Sequence, residues 1–228
     1  IVHRTILTQG VGESFLAAKI EAWENGLPPH IKLAYLPQPG IVRLRLTGSG
    51  HEKVELESEI NALTGALYEL ISEYIFGEGD DSLEQVVGNL LKQHNYTMAT
   101  AESCTGGYIA HLITGIPGSS DYFKGSVVAY ANEIKENVLG VSARTIEKYG
   151  AVSEETVFEM AAGIIRQFKV NCAISVSGIA GPDGGTPEKP VGTTWICVLT
   201  PKGAETRKFT FGDAAARVKA GAIACAGH

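Results

Sequence analysis

The chain is short of the features that would mark it for a membrane, a metal or a nucleic acid. None of its 228 residues falls in an apolar run long enough to span a bilayer, and no charged-then-apolar leader opens it. The four cysteines, Cys104, Cys172, Cys197 and Cys225, lack CxxC spacing. That removes zinc-ribbon and thioredoxin-like chemistry, and no metal or cofactor is expected. Acidic residues outnumber basic ones, 25 against 19, for a net charge of −6. Neither nucleic acid nor an anionic membrane is therefore an expected partner. Neither GxGxxG nor a P-loop occurs, so the standard nucleotide motifs do not apply. Internal repeats and low-complexity tracts are missing too. Cysteines without CxxC spacing and no visible signal peptide point to a reducing cytoplasm.

What is present is ordinary in bulk and uneven in placement. The composition, 44% hydrophobic and 19% charged, is that of a globular protein. Cys172 and Cys197 sit in apolar runs and read as buried thiols. The chain opens at Ile1 without a Met, which reads as a fragment of a longer polypeptide. A first block, residues 1–78, reads as helix (Glu13 to Trp23), two strands (Ile31 to Leu36, Ile41 to Leu46) and a long helix (about Glu52 to Ile75). Phe15, Leu16, Ile20 and Trp23 form the apolar face of the first helix. Ile60, Leu63, Leu67, Leu70 and Ile71 form that of the second. The order α-β-β-α makes a small α+β unit. Gly77-Glu78-Gly79-Asp80-Asp81 is the expected linker.

The second block, residues 82–228, alternates. Ser82 starts a helix to Gln93, with Gln85 placed for a capping box. Strand Tyr96 to Thr100 leads to helix Gly107 to Thr114, and strand Gly125 to Tyr130 to helix Glu133 to Leu139. Ser153 caps a helix to about Phe168. Cys172 to Val176 is a strand buried on both faces, and Thr193 to Leu199 forms a hairpin with Thr206 to Phe211. A last helix starts near Ala214. This alternation predicts a three-layer α/β/α sandwich with a mixed sheet.

Four segments of this block carry candidate chemistry. In Ala101-Glu102-Ser103-Cys104-Thr105-Gly106-Gly107, a strand gives way to a helix start whose free N–H groups suit an anion or an oxyanion. Ser103 or Thr105 would equally serve as a plain helix cap. In the run from Gly125 to Lys135, Asn132 suits the N-cap and puts Lys135 at the third helical position. A cation there faces the positive end of the dipole, which favours the neutral amine of a general base. A solvated lysine is the plainer alternative. Ser177-Gly178-Ile179-Ala180-Gly181-Pro182 follows the buried strand, and its glycines would admit a phosphate or simply make a tight loop. Lys189-Pro190-Val191-Gly192-Thr193 is a stiff strand entry whose lysine would meet a phosphate or solvent. Three of the four segments fall just after strands, so they converge on one rim of the sheet.

Together these segments resemble the CinA family, specifically its C-terminal nicotinamide-nucleotide amidase domain, from about Ser82 to the end. Gly10-Val11-Gly12-Glu13-Ser14 and Leu36-Pro37-Gln38-Pro39-Gly40 resemble the family's KH-like middle domain. In full-length members a molybdopterin-binding-like domain comes first. The resemblance implies metal-independent hydrolysis of nicotinamide mononucleotide to nicotinic acid mononucleotide and ammonia, by an enzyme that is often a homodimer. It implies Ser103 as nucleophile, with Tyr130 and Lys135 as its catalytic partners. Thr105, Gly106 and Asn132 would bind substrate. So would Ser177, Gly178, Ala180 and Gly181, with Arg217 or Lys219 as the basic residue of the run after Gly212-Asp213. The family's usual arginine after that Gly-Asp is Ala214 here. In the implied mechanism neutral Lys135 takes the Ser103 proton, directly or through Tyr130. N–H groups near Thr105 and Gly106 hold the oxyanion, and Tyr130 passes a proton to the leaving ammonia. His111 has no triad setting. The competing readings are a nucleotide-binding module without chemistry and a competence-related scaffold. The GXXG clamp of a nucleic-acid-binding KH domain is missing from the first block.

Overall fold

A computed structural model describes residues 1–38, 40–50 and 52–211. Contacts between Cα atoms divide the chain into two units, residues 1–86 and 87–228.

The first unit runs β1 (Val2–Gln9), α1 (Glu13–Asn25), β2 (Ile31–Gln38), β3 (Ile41–Gly48), α2 (Lys53–Ile71), a 3₁₀ turn (Ser72–Tyr74) and β4 (Ile75–Glu78). Its sheet has the order β2-β3-β1-β4 and is antiparallel throughout. The order is therefore β-α-β-β-α-β, and the expected α-β-β-α lacked both outer strands. The second helix ends at Ile71, not Ile75. Its buried stripe is Leu56, Ile60, Thr64, Leu67 and Ile71, and Leu70 is exposed. Phe15 is exposed as well, leaving Leu16 and Ile20 as the core of α1. Gly77 and Glu78 of the expected linker belong to β4, where Glu78 takes Arg4 and the Tyr68 hydroxyl at 2.8 Å each.

The second unit begins within α3 (Leu83–Gln93), where the Gln85 N–H donates to Ser82 Oγ at 3.2 Å. There follow β5 (Met98–Glu102), α4 (Tyr108–Thr114), β6 (Phe123–Val128), α5 (Asn132–Asn137), α6 (Ala143–Tyr149), α7 (Glu154–Phe168), β7 (Cys172–Gly178), β8 (Thr193–Thr200) and β9 (Gly203–Thr210). The sheet order is β6-β5-β7-β8-β9. The β6-β5-β7 ladder is parallel, and β8 and β9 add antiparallel. This is the expected three-layer sandwich on a mixed sheet. Side chains alternate across it. Met98, Ile174, Val176 and Ile196 pack with Leu91, Ile109 and Ile113 on the α3 and α4 side. Ala99, Ala101, Ala173 and Cys197 pack with Leu139, Val157, Met160 and Ile164 on the α5 and α7 side. The helix expected from Ala214 lies outside the described residues.

Two local signals decide how the site is framed. Ser153 caps α7 as expected, accepting the Thr156 N–H at 3.2 Å. Strands β5 and β7 run two residues further than their apolar runs, so Glu102 and Ser177 are strand residues.

Candidate active site

Strand β5 delivers Ser103 to the carboxyl edge of the sheet. The Ser103 N–H still donates to the Val176 carbonyl at 2.9 Å, so its backbone is held by the ladder. Ser103 is the first residue past the Glu102–Val176 pair that ends the β5–β7 ladder. The chain then turns. The Gly106 N–H donates to the Ser103 carbonyl at 3.0 Å, and Gly106 and Gly107 take φ of +63° and +91°, which a side chain would resist.

The start of α4 is capped from the strand. Glu102 is fully buried, and its Oε2 accepts the Ile109 N–H (3.1 Å) and the Thr105 hydroxyl (2.6 Å). Its Oε1 accepts the Ala110 N–H at 2.9 Å and lies 3.2 Å from the Thr100 hydroxyl. Ser103 and Thr105 are therefore not the cap. The Thr105 hydroxyl is committed to Glu102, and Ser103 faces elsewhere.

Ser103 faces Lys135. The amine Nζ lies 3.2 Å from Ser103 Oγ, and Lys135 is only 1% exposed. Its other neighbours are the carbonyls of Ala129 (2.8 Å) and Tyr130 (3.3 Å). Among the described residues no carboxylate pairs with it. Burial therefore pushes the amine below its ordinary value of 10.5, with Cys104 acting weakly the other way. A neutral amine has two hydrogens. Giving both to the two carbonyls leaves its lone pair for the Ser103 hydroxyl.

The helix that carries Lys135 starts one residue earlier than expected. Ala131 is the N-cap, because its carbonyl already accepts the N–H groups of Ile134 and Lys135. Asn132 is then the first helical residue, exposed and making no cap bond, and Lys135 is the fourth. The lysine side chain runs back toward the helix start, as helical side chains do.

The remaining expected residues divide. Tyr130 meets Lys135 only through its carbonyl, and its side chain is 73% exposed. Ser177 is buried and donates to the Ala151 carbonyl at 2.7 Å. Gly178 is a close-packing position, since a Cβ there would sit 2.9 Å from Cys104 Sγ and 2.7 Å from Thr194 Oγ1. Ala180 packs on the α3 and α4 side core. Gly181 takes φ +77°, and Val191 fills the space its Cβ would need. Lys189 is half-buried. Its Nζ donates to the carbonyls of Tyr149 (2.7 Å) and Val152 (2.8 Å), clamping the loop that receives Ser177. His111 stacks on Tyr108 at 5.7 Å on an exposed helix face. Arg217 and Lys219 lie outside the described residues. Glu102 is the residue that sequence reasoning missed. Ending the strand at Thr100 placed its carboxylate in a loop.

The model of the CinA C-terminal domain matches residues 80–226, and that of the damage-inducible protein CinA KH domain matches residues 3–77. The chain belongs to the CinA family. A CinA-like protein of Cytophaga hutchinsonii is 56% identical over 86% of this chain and 47% of its own length. One from Flavobacterium psychrophilum is 51% identical over 93% of this chain and 51% of its own. The chain thus spans about half the length of these CinA relatives. Among solved structures, competence/damage inducible protein CihA from Agrobacterium tumefaciens aligns with a TM-score of 0.62 at 35% identity, over 64% of this chain and 89% of that one. Competence damage-inducible protein A from Klebsiella pneumoniae aligns at 0.61 and 36%, over 64% and 90%.

Proposed function

We propose that the CinA C-terminal domain of this chain is a serine amidase of the Ser–Lys type, and that it deamidates nicotinamide mononucleotide. The observation that carries the chemistry is the buried amine 3.2 Å from Ser103 Oγ, with no carboxylate paired to it among the described residues. The substrate comes from the CinA resemblance, which supports a nucleotide carboxamide.

The Ser103 hydroxyl gives its proton to the Lys135 amine as Oγ attacks the carboxamide carbon. The Gly106 N–H is spent on the Ser103 carbonyl, so it leaves the expected oxyanion set. Among the described residues the Thr105 and Gly107 N–H groups donate to no backbone carbonyl, and they take that role. One such donor is worth about 3 kcal/mol in the transition state. The C–N bond breaks as the leaving nitrogen takes a proton, from the Lys135 ammonium or from Tyr130. Ammonia departs, and an ester on Ser103 remains. Water, deprotonated by Lys135, hydrolyses it to the acid.

The test is ammonia release from nicotinamide mononucleotide without added metal. Wild type should turn over, and Ser103→Ala should lose about four orders of magnitude or more in kcat while still binding the nucleotide. Binding without ammonia release by wild type would instead support a nucleotide-binding module.

A further inference from the structure

We propose that Glu102 is a positioning residue that aligns both halves of the Ser103–Lys135 pair. The proposal rests on the amidase reading and adds a group that touches neither reacting atom. The side chain of Glu102 fixes the serine side. Its carboxylate ties the Thr105 hydroxyl and the Ile109 and Ala110 N–H groups into one unit, so the Ser103–Gly107 turn is closed against the end of β5. The main chain of Glu102 fixes the lysine side. Its carbonyl accepts the Ala129 N–H at 2.7 Å, and the Ala129 carbonyl in turn accepts Lys135 Nζ at 2.8 Å. One fully buried residue therefore holds the backbone at both partners.

The hydroxyl and N–H partners of the Glu102 side chain all donate to its two oxygens. Each oxygen takes one backbone N–H, Oε1 from Ala110 and Oε2 from Ile109. An amide in its place sets N–H against N–H in either orientation. Glu102→Gln therefore keeps the volume and loses the geometry. A displacement on the order of 1 Å at a reacting group costs about 100-fold in rate.

Glu102→Gln is compared with wild type for kcat and KM on nicotinamide mononucleotide, with thermal melting as a control. Ser103 labelling by a fluorophosphonate probe is followed alongside, and needs no assumption about substrate. The expected result is a kcat and a labelling rate each lowered about 100-fold, with KM within about twofold. Thr105→Val should lower kcat in the same direction by less, and Thr105→Ser, which keeps the hydroxyl, should restore it. Should Glu102→Gln not fold, the Thr105 pair decides. Wild-type kcat and labelling in Glu102→Gln, or Thr105→Ser as impaired as Thr105→Val, overturns the proposal. If wild type reacts with the probe but releases no ammonia, the substrate assignment fails and the positioning role is judged on labelling alone.

Discussion

A buried amine with no carboxylate partner among the described residues is costly to protonate, and Lys135 shows the cost as a lowered pKa. The sign of its effect on stability follows. The unfolded chain keeps the ordinary value of 10.5, and the folded chain binds that proton only at lower pH. Between the two values the unfolded state holds the extra proton, so stability climbs with pH across that window and is flat below it. Lys135→Met removes the titration while keeping most of the packing. Urea melts at a series of pH values should show the variant gaining most on wild type at the low-pH side, with the gain shrinking as pH rises toward 10.5. A gap independent of pH would mean that the amine is not desolvated. The variant should also release no ammonia, and wild-type kcat/KM should rise with pH through the same lowered pKa. Tyr130 gives a contrasting case. Its exposed ring makes no bond to the pair among the described residues, so Tyr130→Phe should cost far less in kcat than Ser103→Ala. Equal losses in an ammonia assay would instead put the phenol in the proton path.

At the scale of elements, α7 packs against the turn that closes the lysine helix. Gly163 of α7 faces the turn that follows α5, and a Cβ there would stand 1.9 Å from the Leu139 carbonyl oxygen. That oxygen belongs to backbone, which has little room to give. Gly163→Ala should cost about 3 kcal/mol, the upper end for overpacking, and lower kcat too, because Leu139 lies one turn beyond Lys135. Thermal melting paired with the ammonia assay checks both. A native melting temperature would show that the two elements separate freely. Elements with a local signature were legible in the sequence: the Ser153 cap, the twice-buried β7 and the β8–β9 hairpin, whereas the approach of Ser103 to Lys135 came from the family resemblance. Those without one were not. Strand β1 has a continuous buried run, Thr5 to Gln9, in place of the alternation that marks a half-wet strand. Strand β4 has four residues, too few for any period. Helix α6 is short, and its first turn is held by Glu159, which accepts the Ser142 N–H and the Thr145 hydroxyl at 2.7 Å each from α7. Glu102 was hidden for a related reason, since a carboxylate at a strand end reads as solvated until its donors, up to eight residues downstream, are seen.

On the scale of the whole molecule, the Ser103–Lys135 pair lies within one of two units. Every partner named around Ser103, Lys135 and Glu102 lies between Met98 and Thr194. Both cores flanking that sheet are built from residues 87 onward. The solved relatives from Agrobacterium and Klebsiella align over 64% of this chain yet nearly all of their own length, so this fold stands alone in other proteins. A chain of residues 80–228, which keeps α3 whole, should therefore melt in a single cooperative step. It should release ammonia with a kcat/KM within about threefold of the longer chain, the spread expected when a removed part is energetically independent. Calorimetry and the ammonia assay are read together. A folded but inactive fragment would assign the first unit a part in turnover. An unfolded fragment would show that the sandwich draws stability from residues outside its own two cores.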